Sequence, residues 1–121
     1  MSHKILIVDD EPNIVISLEF LMKKEGFIVA IAVDGDAALE QVAAFNPDLV
    51  LLDVMMPKKS GYEVCQAIRS DPARAATKVV MLTAKGRESE VAKGLALGAD
   101  AYVTKPFATK DLVAQVKSLL A

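Results

Sequence analysis

Five short apolar runs recur along this chain, each followed by a segment of helical period, and few folds accommodate that alternation. The runs are Lys4 to Val8, Phe27 to Ile31, Leu49 to Leu52, Val79 to Leu82 and Ala101 to Val103. They are too short for helices and rich in β-branched residues or leucine, as expected of strands buried on both faces. The segments between and after them place apolar residues three and four apart. These are Ile14, Leu18, Leu21 and Met22; Leu39, Val42 and Ala43; Val64 and Ile68; Val91 and Leu95; and Leu112, Val116, Leu119 and Leu120.

The punctuation agrees with this division. Pro12 suits the first turn of a helix that Lys23, Lys24 and Gly26 close. Ser60 followed by Glu63 reads as a capping box opening the third helix. Asn46-Pro47 and Asp71-Pro72 stop the second and third helices, Gly98 stops the fourth, and Thr109 can cap the fifth. Gly94 and Gly98 have the spacing of a membrane dimer motif, but their helix is polar, so they read as flexibility and a helix stop.

Alternation of this kind implies a parallel sheet covered by helices on both faces. Five strands are too few for a closed eight-stranded barrel. The expected fold is therefore α/β: a (βα)5 doubly wound, five-stranded parallel sheet of order 2-1-3-4-5, flavodoxin-like. With no linker, repeat or low-complexity stretch, residues 1–121 read as one domain.

Composition narrows the chemistry. One cysteine, Cys65, excludes an internal disulfide and a Cys-rich zinc site, and one histidine, His3, argues against a multi-His metal site or a Ser-His-Asp triad. Fourteen basic against sixteen acidic residues leave a net charge of -2, with no basic excess for a nucleic-acid backbone. No uncharged apolar run is long enough to span a membrane, and the start lacks the order of a signal peptide, so a cytoplasmic chain is expected. What remains for chemistry is carboxylates, hydroxyls and lysines.

In an open doubly wound sheet, ligands bind beyond the carboxyl ends of the strands, where the winding reverses. With this strand order, that place lies between strands 1 and 3. The first ends in Asp9-Asp10-Glu11 and the third in Asp53, so three aspartates converge on one crevice. Asp9 or Glu11 alone would equally suit a helix N-terminus. Asp53 does not fit that explanation, since it stands between Leu49-Val50-Leu51-Leu52 and Val54-Met55-Met56 and opens no helix. An aspartate between apolar runs needs a partner, and carboxylates this close raise one another's pKa or require a cation. Magnesium suits such a set, because it binds through one or two carboxylates, keeps waters and recruits a phosphate oxygen. Calcium would need more side-chain ligands than the crevice offers, and there is no EF-hand loop. Thr83 and Lys105 end the fourth and fifth strands on the same edge. Singly, they also read as a turn hydroxyl and a surface lysine. Together with the acids they are the parts of a phosphoryl site: a carboxylate nucleophile, a metal and an ammonium to neutralise charge, and a hydroxyl donor.

Asp9-Asp10, Asp53, Thr83-Ala84 and Lys105-Pro106-Phe107, in this order on such a frame, resemble the receiver domain of two-component response regulators, the CheY-like family. The similarity spans essentially the whole chain. It implies that Asp53 accepts a phosphoryl group from a histidine kinase or a phosphotransfer protein. It further implies that Asp10, Asp53 and the Met55 carbonyl bind magnesium while Asp9 holds a metal water. Thr83 and Lys105 would contact the phosphoryl group, and the Lys105–Pro106 bond would be cis. Tyr102 matches the family's switch aromatic, although an amphipathic tyrosine at a sheet edge explains it as well. The implied output is a downstream effector protein or domain docking on the fourth helix, fifth strand and fifth helix.

Departures from the family pattern shape further expectations. Ala101 and Gln115 stand where dimerising relatives usually carry aspartate and arginine, so the unphosphorylated domain is expected to be a monomer. Met55 and Lys85, two residues beyond Asp53 and Thr83, should hinder the hydrolytic water and lengthen the life of a phosphoryl group. A stand-alone regulator and one unit of a longer protein are both open readings. Among rivals, a flavin phosphate would be repelled by Asp9-Asp10-Glu11, a phosphatase lacks its second acid at Met55, and the Walker and Gly-x-Gly-x-x-Gly loops are missing. A docking module without phosphoryl chemistry would have no use for the intact acids, Thr83 and Lys105.

Overall fold

The structure, a computed structural model, describes residues 3–56, 59–84 and 88–121. Lys85, expected to shield the phosphoryl group, lies outside the described residues. The elements are β1 (Lys4–Val8), α1 (Pro12–Lys24), β2 (Ile28–Ala32), α2 (Gly35–Phe45), β3 (Leu49–Asp53), α3 (Gly61–Ser70), β4 (Lys78–Ala84), α4 (Glu88–Ala96), β5 (Ala101–Lys105) and α5 (Thr109–Leu120). The strands form one sheet of order β2-β1-β3-β4-β5, and every pairing is parallel. This is the doubly wound, flavodoxin-like order that the alternation predicts.

Two apolar layers sandwich the sheet. Leu6, Val8, Val50, Leu52, Val79 and Met81 face Ala38, Val42, Val64 and Ile68 of α2 and α3. The alternate residues Ile5, Ile7, Leu49, Leu51, Val80, Leu82 and Val103 face Leu18 and Met22 of α1 and Leu112 and Val116 of α5. Between their polar ends the central strands are apolar, because both of their faces are covered. Among the described residues, no helix is long and apolar enough to cross a membrane.

Most of the expected caps are present. Pro12 opens α1, Asn46 closes α2 with φ 54°, and Ser60 and Glu63 form the capping box of α3. Gly26 and Gly98 take positive φ just beyond α1 and α4. Thr109 is not a cap: it is the first residue of α5, and Ala108 precedes it without a side-chain bond. Asp71-Pro72 stops α3, but the chain then makes a short 3-10 turn over Pro72–Arg74 that Asp71 caps.

The fourth helix departs most from expectation. Leu95 is 44% exposed and does not anchor it, whereas Gly94 is buried. A Cβ on Gly94 would sit 3.2 Å from the Met81 Cγ atom, so this glycine permits close helix–sheet approach and is more than a flexible link. Lys93 lies over the Tyr62 ring at 4.5 Å and joins α4 to α3 by a cation–π contact.

Candidate functional site

Parallel strands deliver their last residues to one edge, and here those residues are polar. Asp9 follows β1, Asp53 ends β3, Thr83 is the penultimate residue of β4 and Lys105 ends β5. Asp53 pairs with Leu82 across β3 and β4, which puts Thr83 one residue further along the neighbouring strand. Thr83 in turn pairs with Thr104, next to Lys105. Asp9, Asp53 and Thr83 are buried, whereas Asp10 is exposed.

The lysine is the hub. Its Nζ atom donates to Asp9 Oδ2 at 2.8 Å, to Glu11 Oε1 at 3.2 Å and to Asp53 Oδ1 at 3.3 Å. Reading Glu11 as a helix cap does not hold. It occupies the N-cap position of α1 but makes no side-chain cap bond and turns its carboxylate to Lys105. Its backbone N–H instead donates to Asp9 Oδ1 at 2.9 Å, so Asp9 both orients this turn and holds the lysine. Met55 exposes its side chain, and its backbone N–H donates to the Asp53 carboxylate. The Lys105–Pro106 peptide is cis.

Electrostatics follow from the geometry. Burial and the neighbouring Asp9 charge push Asp53 up from 3.8 to about 6, against the opposing pull of Lys105. Burial draws the Lys105 ammonium down. The hydrogen bond to Asp9 and the charges of Asp53 and Asp9 outweigh that and hold it above 10.5. The crevice sets the carboxyl groups of Asp9, Asp10, Glu11 and Asp53 around the ammonium of Lys105. One carboxylate oxygen from each of Asp9, Asp10 and Asp53 lies within 4.8 Å of the other two. An all-oxygen set with surplus negative charge fits a hard divalent cation.

Tyr102 pairs with Met81 and therefore shares the sheet face against which Gly94 packs. Tyr102 is 44% exposed, as Leu95 is, so α4 and β5 each present an apolar side chain to solvent.

Two features of the surroundings escaped the sequence reading. Gly61 opens α3 directly against the Asp53 backbone; its only signal was a poor helix former immediately after a good cap. Arg69 binds the Gly98 and Thr77 carbonyls and Asp100, contacts too distant in sequence to be read from it.

The comparisons with known proteins agree with this geometry. The family model of the response regulator receiver domain matches residues 5–117. A protein of Chloroflexus aurantiacus J-10-fl assigned as a response regulator is 36% identical, with a TM-score of 0.95 over 99% of this chain and 98% of the other. The chemotaxis response regulator CheY4 of Vibrio cholerae is 28% identical, with a TM-score of 0.92 over 98% of this chain and 99% of its own. The DrrB receiver domain, described as BeF3 activated, is 38% identical, with a TM-score of 0.89 over 99% of this chain and 98% of its own. With the strand order, the acidic crevice and a family match over nearly its whole length, the chain belongs to the response regulator receiver domains.

Proposed function

We propose that Asp53 is a phosphoacceptor, charged by a histidine kinase or a phosphotransfer protein. The observation that carries this reading is a buried carboxylate at a strand end, gripped by Lys105 and flanked by two further acids. With its pKa near 6, Asp53 is mostly ionised at neutral pH, as a nucleophile must be. A carboxylate oxygen of Asp53 forms a bond to phosphorus, and the bond to the donor's imidazole nitrogen breaks. The nitrogen leaves with the electron pair. Lys105 then exchanges a carboxylate partner for a phosphoryl oxygen, and Thr83 donates its hydroxyl to another.

Asp10, Asp53 and the Met55 carbonyl are the atoms that would hold magnesium, with Asp9 orienting a metal water. When bound, the ion would supply positive charge to the carboxylates and to the phosphoryl oxygens. DrrB is described as BeF3 activated, and a compact fluoride complex of that kind mimics a phosphoryl group; the reading carries that behaviour to this chain.

Acetyl phosphate with magnesium should add one phosphoryl group, seen as a single adduct by intact-mass spectrometry. The adduct should vanish in Asp53→Asn and in excess chelator. Full labelling of Asp53→Asn would remove the assignment.

The output surface in this reading is α4, β5 and α5, where Leu95 and Tyr102 offer apolar area to a downstream effector. Thr83 and Tyr102 form the switch: Thr83 follows the phosphoryl oxygen, and the Tyr102 ring moves into the space it leaves beside α4. Few apolar anchors hold α4, which suits an element that a local charge change must bias. With Ala101 and Gln115 interrupting the expected charge pairs, the unphosphorylated domain should sediment as a monomer at micromolar concentration. A stable dimer through this face would contradict that part of the reading.

A further inference from the structure

The first turn of α3 touches the backbone that carries Asp53. Gly61 donates its N–H to the Val54 carbonyl at 2.9 Å. A Cβ on Gly61 would lie 2.9 Å from Val54 Cα and 3.0 Å from the Asp53 carbonyl carbon, and nearer still to the Asp53 carbonyl oxygen. All three atoms are main chain and have no rotamer by which to move aside. The φ angle of Gly61 is ordinary for any residue, so space and not conformation demands glycine here.

The surroundings hold this turn in place. Ser60 Oγ accepts from the Glu63 N–H, and Glu63 Oε1 accepts from the Ser60 N–H, both at 3.3 Å. On the other side, Gly35 opens α2 against Lys59, whose carbonyl carbon would be 2.9 Å from an added Cβ. Met55, which donates its N–H to the Asp53 carboxylate, lies just beyond the peptide that Gly61 abuts.

We propose that Gly61, through the capped first turn of α3, is a positioning residue for magnesium binding. It would act by fixing the backbone from Asp53 to Met55, and so the direction of the Met55 carbonyl. The inference rests on the reading of Asp53 and Met55 as holders of the ion. Gly61 itself touches neither ion nor phosphoryl group. A side chain at this position would push the Asp53–Val54 peptide away from α3 and turn the carbonyl that follows.

The test is the rise in melting temperature with magnesium, titrated on the whole chain without phosphodonor. In Gly61→Ala, the titration midpoint, the magnesium concentration equal to Kd at which stabilisation reaches RT ln 2, should rise by about tenfold, equivalent to ~1.4 kcal/mol. Ile68→Val loosens the far half of the same helix and should leave that midpoint within about twofold, although it lowers the melting temperature. Should Gly61→Ala not fold, Ser60→Ala removes the cap without adding atoms and should still raise the midpoint by about threefold. Unchanged midpoints in Ser60→Ala and in any folded Gly61→Ala overturn the inference. An equal change in Ile68→Val overturns it too, since the effect would then be general loosening. A wild-type chain without magnesium response, or full labelling of Asp53→Asn, removes the underlying reading instead, so the two failures are distinguishable.

Discussion

Replacing Lys105 with methionine should destabilise the magnesium-free protein by about 3–5 kcal/mol at neutral pH, as expected when one partner of a buried charge cluster is removed. The Lys105 side chain is only 15% exposed, and its partner Asp9 is fully buried, so water screens this cluster poorly. The remaining hydrophobic stem would keep its packing while the acids lose their ammonium. The pH dependence fixes the sign. Lys105 is held above 10.5, so its contribution is present throughout the neutral range and is lost only at higher pH. Asp53 has a folded pKa near 6 against the usual 3.8. Its ionisation therefore opposes folding, and stability declines as pH rises through that interval. Lys105→Met should extend this decline to higher pH, because the lysine no longer holds the Asp53 carboxyl down. Adding Asp53→Asn should recover about 2 kcal/mol, because one of the uncompensated charges disappears. Denaturant unfolding in chelator, at several pH values, measures both effects. Equal stability of wild type and Lys105→Met at neutral pH would mean that the three contacts contribute nothing net.

The second large effect is expected far from the crevice. Arg69, near the end of α3, donates through Nε to the Gly98 carbonyl at 2.7 Å and through one terminal nitrogen to the Thr77 carbonyl at 2.8 Å. The other terminal nitrogen meets Asp100 Oδ2 at 2.6 Å, and that same oxygen accepts the Val79 N–H at 2.8 Å. One guanidinium thus ties the end of α3 to the start of β4 and to the turn between α4 and β5. Charge-assisted bonds of this kind contribute about 1.5–3 kcal/mol each, and they are not additive. Arg69→Ala should cost about 3 kcal/mol by chemical denaturation, discounted for the partial exposure of the pair. Arg69→Lys should recover little of it, since a single ammonium cannot serve three acceptors in a fork. Near-complete rescue by lysine would show that charge alone, without the fork, is what matters.

These two sites differ in how readable they were. Asp53 was visible as a charge set between apolar runs, and Asp9, Asp10, Thr83 and Lys105 were visible as polar ends of buried strands. Parallel winding brings such ends to one edge whatever the details of packing, so the sequence pattern was sufficient to gather them. The partition of Lys105 among Asp9, Glu11 and Asp53 was not readable. It depends on side-chain reach between β1 and β5, which are 96 residues apart at Asp9 and Lys105 and separated by two strands in the sheet. A capping role for Glu11 stays open in the sequence for the same reason, because its local surroundings are those of a helix start.

By itself, then, the sequence determined the element order, the sheet topology and the identity of the polar strand ends. Period and punctuation are local properties, and parallel connections leave few topologies open. Tertiary structure alone decided which glycines make room and which residues bridge elements. Gly61 is needed because the Asp53 backbone approaches it, and Gly94 lets α4 come close to the Met81 side chain. Leu95 faces outward because Gly94, one position earlier on α4, takes the surface against the sheet. Such contacts join residues distant in the chain, and they are set by close packing, in which the absence of one methyl group on one residue is matched by atoms of another.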